Sequence, residues 1–186
     1  DWTPQQVIEA YDEWSEKGLA ALGALQEPPM ADTVVPLSDL GEHPMHLLGN
    51  AIAFDHYCHL RHDIGAAIDR AADLPQDPAV LGPTLEWMLA GVPQMCADAL
   101  AAAPAQPVNL VVDGPAANTW CLTPGDPAAG PRWVVAHGAD DDAPVVRTTA
   151  HDFVSWGTKR SDWRASSRGD VADERVGAVL DAINVM

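Results

Sequence analysis

The residues best suited to chemistry are histidines and aspartates in one short stretch of the chain. Five of the seven histidines lie between positions 43 and 62. With about 100° of rotation per residue, Asp55, His59, His62 and Asp63 would share one face of a helix. An Asp followed by a His four residues later can bring a carboxylate oxygen and an imidazole nitrogen to one divalent metal ion, and zinc, iron, nickel and manganese all accept these donors. Asp55 and His59 are therefore the candidate metal ligands.

Two ligands do not complete a metal site, so a third donor must come from elsewhere. The sources considered are His62, His56, another helix or a segment outside this chain. The same spacing also suits a hydrogen-bonded Asp–His pair without metal, so the spacing leaves both interpretations open.

The surroundings of the pair predict how it is positioned. Asp63 lies one turn from His59 and can accept a hydrogen bond from the ring nitrogen that does not bind metal. Leu48 and Ile52 face the same way as the Asp–His pair, so the pattern predicts a buried cluster with hydrogen-bonded partners.

A second candidate lies in the other half of the chain, where Arg160 follows a helix that ends near residue 159. An arginine at this position can bind the last carbonyl groups of the helix. It can also reach across to a substrate carboxylate, because its planar fork matches that group. Both roles for Arg160 stay open at this point.

The apolar spacing predicts three long helices at 4–25, 44–72 and 78–102, and the second of them carries the Asp–His pair. Thr3 is the expected N-cap of the first. Pro93 should kink or split the third, because proline lacks the backbone donor of a helix interior.

The apolar period changes from 3.6 to 2 after a linker of small residues at 101–107. This change predicts two domains, a helical bundle at 1–103 and a small α+β domain at 104–186, and therefore an α+β fold. The second domain should have a mostly antiparallel sheet and two helices. Its predicted elements are strands at 108–113, 119–122, 132–136, 145–149 and 163–168, a helix at 150–159 capped by Thr149, and a final helix capped by Asp170.

The composition excludes several classes of partner. The net charge of −17 opposes binding to nucleic acid and to anionic membranes. The sequence has no apolar run of 18 residues, so we expect no transmembrane helix. The three cysteines are far apart and fit buried thiols better than a disulfide scaffold, and a reducing cytoplasm is the expected compartment.

Several stretches together resemble one family. Residues 54–63 are similar to the acid-x-x-x-His helix of the mycothiol-dependent maleylpyruvate isomerase family, which has a DinB-like helical bundle. The second half resembles the sterol-carrier-like C-terminal domain that accompanies this bundle. The segments that carry this second resemblance are 110–115, 119–120, 152–160, 169–170 and 180–185.

The resemblance implies a metalloenzyme that uses the thiol mycothiol. The metal, typically zinc, would be held by Asp55, His59 and a histidine from an early helix, and Arg160 would hold the carboxylate of a small substrate. The metal-activated thiolate would add to a conjugated cis double bond, allow rotation and leave, or would be transferred. The chain carries no early helix with the first histidine, so we expect an N-terminal segment or a second copy in a homodimer to complete the site.

An alternative function belongs to another class. The chain would then be a non-catalytic two-domain binding protein, with a structural Asp/His cluster and an apolar groove for a ligand or partner. Metal content distinguishes the two functions.

Overall fold

The first half of the chain is mainly helical, and the described part of the second half contains a mixed β-sheet and three further helices. The computed structural model describes residues 2–73, 76–126, 128 and 133–186. The helices are α1 (Pro4–Ala24), α2 (Leu47–Tyr57), α3 (Pro78–Met95), α4 (Ala97–Ala102), α5 (Ala150–Gly157), α6 (Trp163–Ser166) and α7 (Glu174–Ala182). The strands are β1 (Val34–Pro36), β2 (Glu42–Pro44), β3 (Val108–Asp113), β4 (Asn118–Pro124), β5 (Trp133–His137), β6 (Val145–Thr149) and β7 (Arg168–Gly169). The predicted α+β class is confirmed.

Capping side chains fix the N-terminal starts of α1 and α3. The Thr3 hydroxyl accepts from the Gln6 backbone N–H, and the Gln6 side chain accepts from the Thr3 N–H at 2.9 Å. The Asp77 carboxylate accepts from the N–H of Ala79 at 2.8 Å at the start of α3. The predicted break after Pro93 is confirmed, because α3 ends at Met95 and α4 begins two residues later.

The second helix begins later than predicted. Residues 42–44 form β2 and pair with β1 in a hairpin, within a stretch whose prolines and glycine predicted only a loop. His43 is buried in this hairpin, with its Nε2 2.8 Å from the Leu40 carbonyl oxygen and its ring 4.7 Å from the Trp87 ring. Its position beside Pro44, at the start of the predicted second helix, indicates a capping or exposed histidine, and this prediction is wrong.

The helix then changes its winding, because α2 continues as a π-helix from Cys58 to Gly65. A π-helix bonds each N–H to the carbonyl five residues back and has more residues per turn than an α-helix. A Cβ at Gly65 would lie 2.5 Å from the carbonyl oxygen of Leu60, five residues earlier, so a glycine fits the end of this segment. The wider turn places residues four and five apart on the same side of the helix.

The second half contains a five-stranded sheet in the order β5-β4-β3-β6-β7. The β3–β6 pair is parallel, and the β3–β4, β4–β5 and β6–β7 pairs are antiparallel, so the predicted, mostly antiparallel sheet is confirmed. Arg132, the first residue of one predicted strand, lies outside the described residues. The run of three aspartates at 140–142 is typical of a hairpin tip, but this prediction is wrong. The loop connects β5 to β6, and β4 and β3 lie between these two strands in the sheet.

Two predictions near the C-terminus are wrong. The strand predicted at 163–168 is mainly α6, because Asp162 caps a helical turn and the Trp163 indole N–H donates to Asp181 at 2.7 Å. This short helix makes three helices in the second half rather than two. The final helix is capped by Asp173, whereas the carboxylate of Asp170 accepts from the Val145 N–H at 2.7 Å.

A single apolar core joins the two halves. Leu85 and Met88 of α3 belong to the same cluster of buried side chains as Leu110 of β3 and Trp156 of α5. The domain boundary predicted at 103/104 stays a prediction, and the core is continuous across it. Within the described ranges, every helix is too short or too polar to cross a bilayer.

Candidate functional site

The candidate site is a row of three side chains along α2 and the π-helix. His59 lies between Asp55 and Asp63, one turn from each. Its Nε2 is 3.3 Å from an oxygen of Asp55, and its Nδ1 is 2.8 Å from an oxygen of Asp63. The structure thus brings together the predicted pair, Asp55 and His59, and adds the predicted carboxylate partner of the histidine.

The row lies at the surface, so the predicted burial of the cluster is wrong. The side chains of His59 and Asp55 are 57% and 59% exposed. The apolar residue expected to share a buried face with them, Ile52, is itself exposed. This side of α2 is open because α1 covers only part of it, and the structure describes no further helix there.

Arg160 fixes one end of the row from the other half of the molecule. Its Nε and Nη2 donate to the two oxygens of Asp63 at 2.9 and 2.8 Å. These hydrogen bonds, and then the one from His59, hold the pKa of the Asp63 carboxyl well below its usual range. Arg160 was one candidate to cap the C-terminus of α5. Its guanidinium instead pairs with Asp63, which lies 97 residues away in sequence.

The ionised Asp63 also orients the His59 ring. A carboxylate at Nδ1 favours the tautomer with a proton there, which leaves the lone pair on Nε2 facing Asp55. Two donor atoms bound to one tetrahedral zinc at ~2.0–2.2 Å are about 3.4 Å apart. The observed 3.3 Å between Nε2 and the Asp55 oxygen matches this separation. The pair therefore fits two positions of a zinc site.

A third protein ligand is not in place. Among the residues that the structure describes, no group of three or more His, Cys, Asp or Glu side chains could hold a metal ion. His56 lies in the neighbouring apolar groove, and the His62 ring packs against His151 of α5 instead of joining the row. The row supplies two donors and an orienting carboxylate.

His62 belongs to a separate cluster that joins the π-helix to α5. Its ring stacks on that of His151 at 4.9 Å, and the Tyr57 hydroxyl lies 3.0 Å from Nδ1 of His151. Burial, and then the nearby His151 and Arg160, lower the pKa of His62 to about 4. Its Nε2 is buried and makes no hydrogen bond with another described residue.

The neighbouring thiol, Cys58, is not activated. It is buried, and burial raises its pKa to about 11. A thiolate there would be disfavoured at neutral pH, so Cys58 fits the predicted buried thiol rather than a nucleophile. Cys96 and Cys121 are buried free thiols as well.

Sequence reasoning missed the partners that come from α5. His151 carried no local signal, because its contact with Tyr57 joins residues 94 positions apart. The Asp63–Arg160 pair likewise joins residues far apart in sequence, at a separation of 97 positions. Both contacts depend on how α5 packs beside the π-helix, which no spacing within one element encodes.

Comparison of the chain with protein-family models, with curated proteins and with solved structures gives no significant match.

Proposed function

We propose that the protein is a mycothiol-dependent metalloenzyme of the maleylpyruvate isomerase family, with zinc on Asp55 and His59. The resemblance of residues 54–63 to the acid-x-x-x-His helix supports the family. The observation that carries the proposal is the arrangement of His59, which faces Asp55 at 3.3 Å through Nε2 and binds Asp63 at 2.8 Å through Nδ1. Asp63 occupies the position of a carboxylate that orients a ligating histidine.

The side chains of the row have distinct roles in this proposal. A bound divalent metal supplies Lewis acidity, which keeps a thiol ionised as the nucleophile at neutral pH. Asp63 keeps the proton of His59 on Nδ1, and Arg160 keeps Asp63 ionised and oriented. A small carboxylate substrate would compete with Asp63 for the fork of Arg160, which places substrate binding beside the metal pair.

Zinc content of the purified protein tests the metal pair. We expect stoichiometric zinc in the natural sequence and loss of at least 90% of it in His59→Ala, since a lost protein ligand lowers affinity steeply (on the order of 10- to 100-fold even for an outer partner). His137→Ala is the matched control. His137 is also 57% exposed, and its Nε2 also lies 3.3 Å from a carboxylate, that of Glu86.

Two results would contradict the proposal. One is a zinc-free natural protein after purification and zinc loading. The other is equal loss of zinc in His59→Ala and His137→Ala. Mycothiol adds a second readout, because a ligand that binds the folded state raises the unfolding temperature. No shift with saturating mycothiol would exclude the thiol-dependent activity even if zinc is bound.

A second candidate is a non-catalytic binding protein with a structural Asp/His row. Two observations favour it: the described residues hold no third ligand, and an apolar groove of about 660 Å³ lies between α1 and α2. In this case the His59 ring is held between the Asp55 and Asp63 carboxylates as a structural cluster, and the natural protein carries no zinc.

A further inference from the structure

Most of the apolar side of α1 is left uncovered by the part of the chain that the structure describes. No residue of α1, which is described throughout, is buried. Five of its large apolar side chains are 51–70% exposed, and they are Val7, Ile8, Tyr11, Trp14 and Leu19. Glu9, Glu13 and Glu16 lie on the opposite side of the helix, and Asp12 lies at the border between the two sides. The helix is therefore amphipathic with its apolar side in solvent.

A second apolar row is uncovered beside it. Ile52, Leu60, Ile64 and Ile68 are 44–59% exposed and follow one another at intervals of four or eight residues. Residues four apart lie on the same side of a helix in both the α-helical and the π-helical winding. Ile52 lines the groove between α1 and α2 together with Leu19. The two apolar rows meet at this groove and are here called the hairpin face, after the helical hairpin that α1 and α2 form.

The hairpin face has the size of an interface. An exposed aromatic side chain offers ~150–250 Å² and an aliphatic one about 100 Å², so these partly exposed residues leave on the order of 700 Å² of apolar surface. The largest apolar patch of a typical monomer is about 300–600 Å², whereas a stable complex buries about 800 Å² on each partner. The area matches what a dimer needs.

We propose that a second copy of this chain covers the hairpin face, so that α1 and α2 of two copies form a four-helix arrangement. A two-fold dimer needs one surface that contains both halves of the contact, and the hairpin face contains an open amphipathic helix and an open groove. Three of the four acidic residues of α1, Glu9, Glu13 and Glu16, point away from this face. The side chains that define the face are uncharged, so two chains with a net charge of −17 can meet there without burying these three carboxylates. The dimer does not depend on the proposed activity.

Sedimentation velocity of the full chain tests the dimer. We expect the mass of two chains at micromolar concentration. Added salt should strengthen the dimer, because it screens the repulsion between two acidic chains. A basic partner helix would show the opposite salt dependence. Tyr11→Glu and Ile64→Glu should each weaken the dimer at least about 30-fold, since both place a charge in the centre of the face.

Val134→Glu on β5 is the control, because this exposed apolar residue lies outside the hairpin face and should leave the dimer unchanged. Unchanged far-ultraviolet circular dichroism shows that the variants are folded. A natural protein that remains monomeric up to about 100 µM, which corresponds to a binding free energy weaker than ~5.5 kcal/mol, overturns the proposal. A dimer that survives both Tyr11→Glu and Ile64→Glu overturns it as well.

Discussion

At the scale of single residues, the His62 imidazole is packed beside α5 in its neutral form, because burial disfavours the charged ring. The groups that face it are His151, Arg61, Arg160 and Asp63, of which only Asp63 favours the charged ring. Its pKa falls from an ordinary 6.5 to about 4. Between these values the unfolded chain binds a proton that the folded chain does not, so the free energy of unfolding decreases as the pH falls through this window.

His62→Phe should remove this dependence, because phenylalanine keeps an aromatic ring against His151 and cannot be protonated. We expect the natural protein to lose on the order of 2 kcal/mol more than the variant between pH 6.5 and 4. Urea unfolding at several pH values measures it. His137→Phe, at an exposed position, should behave as the natural protein. Parallel pH profiles for natural protein and His62→Phe would show that His62 is not the responsible group.

At the scale of elements, the start of α5 sets the position of His151 and Asp152. The Thr149 hydroxyl accepts from the Asp152 N–H at 3.1 Å and donates to its carboxylate at 2.7 Å. Thr149→Ala should lower the free energy of unfolding by about 1 kcal/mol, whereas Thr149→Ser should keep most of the natural stability, because serine can form the same cap. Denaturant unfolding of the three proteins checks this. Equal stability of the Ala and Ser variants would contradict a capping role.

Local signals were sufficient for some elements and insufficient for others. The caps at Thr3, Asp77 and Thr149 were predictable, because each depends on contacts within four residues. The π-helix was not, since its side-chain pattern also satisfies the period of an α-helix and only the backbone hydrogen bonds differ. The partners of Asp63 and His62 were not predictable either, because they lie about 90 or more residues away in sequence.

At the scale of the whole molecule, α3 connects the helical half to the sheet. Leu85 is fully buried in the core that both halves share. Leu85→Ala should cost about 2–5 kcal/mol, because it removes buried apolar surface and leaves a cavity. Leu40→Ala, at an exposed position, should cost less than about 1 kcal/mol.

The same variant tests whether the halves unfold together. Circular dichroism follows mainly the helices, and tryptophan fluorescence includes Trp120 and Trp156 of the sheet half. Because the core is continuous, both midpoints should coincide in the natural protein and shift together in Leu85→Ala. Separate midpoints would show that the two halves unfold independently.

The winding between Cys58 and Gly65 has a consequence for insertions and deletions. Inserting one further residue between Cys58 and Asp63 would rotate every later side chain by about 100° around the axis, whereas the loss of one residue is absorbed by a return to ordinary α-helical winding. After the insertion, Asp63 would turn away from Arg160, and Ile68 would leave the hairpin face. The length of this segment, more than the identity of most of its residues, thus sets the alignment of the acid–histidine row with the second half.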